Sequence, residues 1–274
     1  MQTRILKHTV LALALAGLSL SASAHRGWIK PSATLVEKEE AWVTIDGAVS
    51  EGLFDFDHVP LRMDGLSVTD PDGASAPAQG AVLGKLRSTL DLRMPKDGTY
   101  RLALVSNNAM GSYKLNGEVK RFRTLEANLS KEIPQGAQEV KTTITATRLE
   151  TFVSANKTSN GALKPSGQGL ELVPVTHPNE LHAGETARFR FQLDGKPLAN
   201  VPFSMVPGGV KYRGTLGELR FTTDAKGEAS FTLPAANMYW LTAKFPVEQQ
   251  KGPSDAAGDT RRYSYSATLE VLPQ

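Results

Sequence analysis

No cysteine occurs in the 274-residue chain, and that absence removes whole classes of chemistry. Disulfide-stapled scaffolds, thiolate enzymes, Cys-ligated zinc sites and iron–sulfur proteins all need the residue. Any metal site must therefore be built from His, carboxylate and amine donors. Aromatic residues make up only 7% of the chain, which leaves few to spare for a flat stacking face. A one-sided charge is missing as well: 31 Lys plus Arg stand against 28 Asp plus Glu, for a net +3. Without a basic block, that balance leaves no electrostatic footprint for nucleic acid, which is excluded as a partner. What the chain does have is 40% hydrophobic residues. That supplies packed cores, over a length nearer to two domains than to one.

Long apolar runs are absent except at the start. Arg4 and Lys7 precede the run Val10 to Leu20, about half the roughly twenty residues that a membrane-spanning helix needs. Ser21-Ala-Ser-Ala24 then supplies the small residues of an A-x-A cleavage site, so residues 1–24 are expected to be a secretory signal peptide cut after Ala24. The expected product is exported to the periplasm, carries no transmembrane segment, and begins with His25. It has 274 − 24 = 250 residues, and loss of Arg4 and Lys7 leaves 29 positives against 28 negatives, net +1.

Beyond that point, helical spacing of apolar residues is scarce and period-two alternation recurs. Ala41-Trp-Val-Thr-Ile-Asp46, Ser88-Thr-Leu-Asp-Leu-Arg-Met94, Tyr100-Arg-Leu-Ala-Leu-Val105 and Ala187-Arg-Phe-Arg-Phe-Gln-Leu193 are short strands bounded by Gly, Pro, Asp and Asn. Asp224-Ala-Lys-Gly227 is a hairpin signal between two such runs. The polar stretch from Asn156 to Gly169 breaks the alternation. The pattern predicts an all-β chain of two tandem immunoglobulin-like or transthyretin-like β-sandwich domains, 25–165 and 166–274, with a loop over 246–262.

Four histidines follow the cleavage point: His25, His58, His177 and His182. At a new N-terminus, His25 offers an α-amine and an imidazole, which together close a chelate ring on one metal ion. That pair favours Ni, Co, Cu or Zn over Ca or Mg. The plain alternative is a tolerated residue after a cleavage site. In Leu53-Phe-Asp-Phe-Asp-His-Val-Pro60, Asp55 and Asp57 would share one face of a regular strand and His58 the other. They converge only if the segment bends, for which Gly52 and Pro60 give the means. The carboxylates then act as ligands or as acceptors that fix an imidazole tautomer; otherwise the segment is a sandwich corner with solvated aspartates. His177 and His182 share a polar loop at a spacing that suits neither one helix face nor one strand face, so a plain loop is expected. No nucleophile elbow, phosphate loop or acid–base pair stands at recognisable spacing, so no enzymatic activity is expected.

His25-Arg-Gly-Trp-Ile-Lys-Pro-Ser32, Leu53-Phe-Asp-Phe-Asp-His-Val-Pro-Leu-Arg62, Glu150-Thr-Phe-Val153, Pro207-Gly-Gly-Val-Lys-Tyr-Arg213 and Met238-Tyr-Trp-Leu241 together resemble a bacterial periplasmic family, domain of unknown function 4198. Its members are commonly labelled as the periplasmic component of a cobalt or nickel uptake transporter. The resemblance covers the whole expected mature chain. It implies a divalent transition metal, Ni or Co, as ligand, His25 and His58 as its holders with Asp57 or Asp55 beside them, and a metal permease or outer-membrane receptor as partner. Two further readings stand: a copper protein or enzyme of histidine-brace type, and an envelope interaction module that uses no metal.

Overall fold

The computed structural model of the protein describes residues 25–246 and 260–274. The expected signal peptide, 1–24, and most of the loop expected over 246–262 lie outside the described residues.

Alternation along the strands decides the architecture. β1 (Arg26–Pro31), β2 (Ala41–Ser50) and β3 (Ser88–Met94) form a first sheet in that order, extended by the short strands Gln79–Leu83 and Val59–Pro60. In β2 the side chains of Ala41, Val43 and Ile45 are buried while Trp42 and Thr44 face solvent. β3 answers with buried Leu90, Leu92 and Met94. Strand accounts for 57% of the described residues and helix for 6%, so the all-β class read from the period-two runs is the one observed.

The second sheet is built on long strands. β4 (Gly98–Leu115), β5 (Glu118–Leu125) and β6 (Gln138–Ala155) lie antiparallel, β5 folding back on β4 and β6 running along its other side. Asn116 and Gly117 turn the chain between β4 and β5 with φ of 53° and 83°, the left-handed pair a two-residue hairpin needs. The C-terminal half supplies β7 (Leu170–Pro174), β8 (Thr186–Leu193), β9 (Pro202–Pro207), β10 (Leu219–Thr222), β11 (Glu228–Thr232), β12 (Asn237–Phe245) and β13 (Thr260–Leu272). Of these, β7, β8 and β11 make a third sheet, with Lys196–Pro197 on its edge. The others join the second sheet, whose order runs β10, β9, β12, β13, β6, β4.

The two halves are therefore hydrogen-bonded into one sheet. Residues 143–151 of β6 pair in parallel with residues 260–268 of β13. The polar stretch 156–169 is where the chain leaves this shared sheet and enters the third one, while the sheet itself continues across. Val153 and Ala155 belong to the core under the first sheet, with Ile29, Ile45, Leu92, Tyr100 and Leu102. Phe152 belongs to the core under the third sheet, with Phe189, Phe191, Phe203, Tyr239 and Tyr265. Successive strand residues point to opposite faces, so the first and third sheets cover opposite sides of the shared one.

Where the halves meet, Arg148, Glu150 and Glu171 pair with one another and with neighbouring donors. Arg148 donates to Glu150 Oε1 at 3.1 Å and stands 3.7 Å from Glu171, while the buried Tyr265 hydroxyl donates to Glu150 Oε2 at 2.8 Å. Glu171 accepts from Ser166 N and Oγ, Gly167 N and the Gln192 amide. Burial pushes the Glu171 carboxyl up, but those hydrogen bonds and the Arg148 charge outweigh it and hold the group below its ordinary value. Among the described residues no helix is long and apolar enough to cross a membrane.

Candidate metal centre

The register of β1 on β2 places the first site residue. Pro31 pairs with Ile45 and so on down to Arg26, which pairs with Ser50. One step further, His25 stands across from Glu51, and its Nε2 lies 3.5 Å from the Glu51 carboxylate. β1 is held by the buried Trp28, whose indole N–H donates to Ser50 Oγ at 2.8 Å. It is also held to the C-terminal half, where the Trp240 indole N–H donates to the Gly27 carbonyl at 3.1 Å.

The second site residue comes from the bend after β2. Asp57 closes that bend: its carboxylate accepts from Glu51 N at 3.0 Å and from Gly52 N at 2.7 Å. A side chain at position 52 would bring a Cβ within 2.6 Å of Asp55 Oδ2 and 3.0 Å of Asp57 Oδ2, so any larger residue there would push both carboxylates aside. Phe54 takes a left-handed φ of 66°, an uncommon conformation for a bulky residue. Packing sustains it. Leu53 is buried with Trp28, Ala48 and Val206, and Phe54 and Phe56 lie against that cluster. The Phe54 and Phe56 rings stand 5.4 and 5.7 Å from the Trp28 ring. Val59–Pro60 then pairs with Val49 and Ala48 on the edge of β2 opposite β1, which brings His58 to the same end of β2 as His25.

His58 and His25 consequently meet. Their rings are stacked, with centroids 3.9 Å apart and planes 23° from parallel, and both side chains are exposed. The expected bend is present, and it brings the two histidines together.

The two aspartates do not join them. Asp57 is committed to the backbone of the bend, as above. Asp55 turns away and pairs with Lys211 at 2.8 Å, on the short helix α1 (Val210–Arg213) of the C-terminal half; that carboxylate raises the Lys211 pKa. The carboxylate that reaches a histidine is Glu51, which sequence reasoning passed over. Its signal was available: once β1 is set against β2 with Arg26 opposite Ser50, the next pair is His25 and Glu51.

Among the described residues no group of three or more His, Cys, Asp or Glu gathers closely enough to hold a metal ion. The side chains alone supply two imidazoles and one carboxylate beside them. An α-amine on His25, which the expected cleavage after Ala24 would release, is the donor that would complete a nitrogen-rich set, so the fit to a borderline divalent ion depends on that processing.

His177 and His182 do not form a second site. His177 lies half-buried between the halves, where its Nδ1 accepts from Asn179 N at 3.1 Å and its Nε2 meets Thr99 Oγ1 at 3.0 Å and Ser159 O at 3.2 Å. Both ring nitrogens are thereby occupied. Burial lowers its pKa below the ordinary value, against opposing pulls from the Ser159 carbonyl and Glu180. His182 sits elsewhere, on the short strand Leu181–His182 paired with the end of β13.

A family profile described as "Domain of unknown function (DUF4198)" matches residues 22–246. Comparison with curated proteins finds no match. Among solved structures, the chain is similar to the D0–D1 domain of intimin, with 12% identity and a TM-score of 0.22 over 89% of this chain and 97% of that one. It is also similar to Escherichia coli alpha-2-macroglobulin activated by porcine elastase, at 8% identity and TM-score 0.21 over 91% of this chain and 31% of that one. A third similarity is to the human OSCAR ligand-binding domain, at 14% identity and TM-score 0.21 over 90% and 99%.

Proposed function

We propose that this chain, which belongs to the family described as domain of unknown function DUF4198, is an exported, non-catalytic protein that holds a divalent transition metal ion as cargo and assists its uptake. One observation carries the reading: the imidazoles of His25 and His58 lie ring against ring, 3.9 Å between centroids, at an exposed edge. Two exposed rings in that position reorient by side-chain rotation alone, so both can turn a lone pair to one ion without moving a strand. Signal peptide cleavage after Ala24 would add the α-amine of His25. Amine and ring nitrogen then chelate, and His58 adds a second imidazole.

Such a nitrogen-rich set favours Ni, Co, Cu and Zn over oxygen-seeking Ca and Mg. The transporter label that members of the resembled family commonly carry would make the ion nickel or cobalt, the location periplasmic, and the acceptor a metal permease or outer-membrane receptor. Exposure of both rings suits delivery, because a partner can reach the ion without the fold opening.

The test is calorimetric titration with Ni2+, Co2+, Cu2+ and Zn2+ of protein that begins at His25. Alongside it run protein with one glycine added before His25, and His58→Ala. Each change should weaken binding of the preferred ion by about tenfold or more, as loss of a donor does. Equal affinities in all three would sink the proposal.

A further inference from the structure

We infer that Glu51 is a positioning residue for His25: its carboxylate accepts from Nε2–H and so keeps the proton on that nitrogen, and Nδ1 keeps the lone pair that closes the chelate with the α-amine. This rests on the metal reading above and adds to it a residue and a role.

The chemistry starts from the ring that a terminal histidine can close. Amine nitrogen, Cα, Cβ, Cγ and Nδ1 make a six-membered ring with a metal ion. Nε2 lies on the far side of the imidazole and cannot reach the same ion together with the amine. A neutral imidazole carries one proton, on Nδ1 or on Nε2. Only the Nε2–H tautomer leaves Nδ1 ready to bind. A carboxylate at Nε2 selects that tautomer and orients the ring, as acceptors behind metal-bound histidines commonly do.

In this structure the carboxylate facing Nε2 is that of Glu51, at 3.5 Å. The main chain of Glu51 is fixed from both sides. Its N–H donates to Asp57 Oδ1 at 3.0 Å, and its carbonyl accepts from Arg26 Nη1 at 3.0 Å. Arg26 thus clamps the backbone and leaves the Glu51 carboxylate for His25. The ladder adds direction, because directly opposed residues on antiparallel strands have neighbouring Cβ atoms. The two nearby aspartates are not competitors, since Asp57 is bound to backbone N–H groups and Asp55 to Lys211. The same arrangement explains why Asp57 matters without touching a histidine: it builds the turn from which Glu51 reaches out.

The experiment compares processed wild-type protein with Glu51→Ala and Glu51→Gln. Ni2+ affinity is measured by calorimetry, and Cu2+ serves as a spectroscopic probe by electron paramagnetic resonance. Glu51→Gln keeps an oxygen that accepts a hydrogen bond from Nε2–H; Glu51→Ala does not. Glu51→Ala should weaken Ni2+ binding about tenfold and change the Cu2+ spectrum, while Glu51→Gln should stay within about threefold of wild type and keep the spectrum. The Glu51 side chain is 58% exposed, so both variants should unfold at the wild-type temperature without metal. The inference is overturned if Glu51→Ala matches wild type in affinity and spectrum while His58→Ala is weakened, or if Glu51→Gln loses as much as Glu51→Ala. If wild type itself binds none of the ions, the underlying metal reading fails, and with it this one.

Discussion

Phe152 and Val153 are adjacent in β6 and belong to different hydrophobic cores. Phe152 packs under the third sheet and Val153 under the first, on opposite faces of the strand that both halves share. A change at either residue therefore acts on a body that is continuous through the β6–β13 ladder. The halves are coupled by backbone hydrogen bonds, which cannot be broken one domain at a time without exposing a sheet edge.

Phe152→Ala should cost roughly 3–5 kcal/mol, the range for truncating a buried aromatic. The coupling makes a sharper claim than the magnitude. Denaturation followed by fluorescence of variants that keep only Trp42, on the first sheet, or only Trp240, in the second half, should show one common midpoint that shifts as a unit. Two midpoints, with only the Trp240 signal moved, would show that the shared sheet does not couple the halves.

Stability should fall as the pH is lowered through two windows. His177 is held neutral: Nδ1 accepts the Asn179 N–H, so a proton added there has no acceptor. Its pKa lies below the ordinary 6.5, so the unfolded chain binds the proton first. Full stability is present above about 6.5 and declines as pH falls from there towards the folded value. Glu171, also lowered, gives stability that is complete above its ordinary 4.5 and lost as pH falls through its folded value. Denaturant midpoints of wild type and His177→Gln, measured between pH 7 and 5, check the first window. The wild-type decline should flatten in the variant.

The junction itself is exposed to test through Glu171. Its carboxylate accepts from the backbone of Ser166 and Gly167 and faces Arg148. Glu171→Ala leaves Arg148 with Glu150 as its remaining ion-pair partner and those N–H groups without their acceptor. A loss of about 3 kcal/mol is expected, in the range for breaking a buried pair. Thermal unfolding reads it, and a change below the size of a surface substitution would mean that water replaces the carboxylate fully.

Much of the fold was legible because one force wrote it. Alternation in Ala41–Asp46 and Ser88–Met94 follows from a sheet with one buried face, and the observed burial alternates through both runs, while Gly47 and Ala48 beyond the first are both buried. The continuous sheet was not legible, because the β6–β13 pairing joins residues more than a hundred positions apart and carries no local signal. At the site, His25, His58 and the bend at Gly52 could be read from residue chemistry and turn chemistry. Asp55 and Asp57 were drawn in by their nearness in sequence. Lys211 from the other half and the backbone of the turn claimed them, and both partners lie outside any strand-period argument. Glu51 was missed because its role depends on register.

The two aspartates should separate cleanly by experiment. Asp57 accepts two backbone N–H groups at 2.7 and 3.0 Å, and each such bond contributes about 1 kcal/mol to stability. Asp57→Ala should therefore lower stability by about 2 kcal/mol and also weaken Ni2+ binding, because it releases the turn that delivers both Glu51 and His58. Asp55 makes a partly exposed pair with Lys211, and solvent screening leaves such pairs with little effect on stability. Asp55→Asn should therefore change stability little and leave Ni2+ affinity within about twofold of wild type. If Asp55 were itself a metal donor, the order would reverse: Asp55→Asn would lose binding at unchanged stability, and Asp57→Ala would lose stability alone. Calorimetric titration and thermal unfolding of the two variants, run side by side on processed protein, decide between these orders.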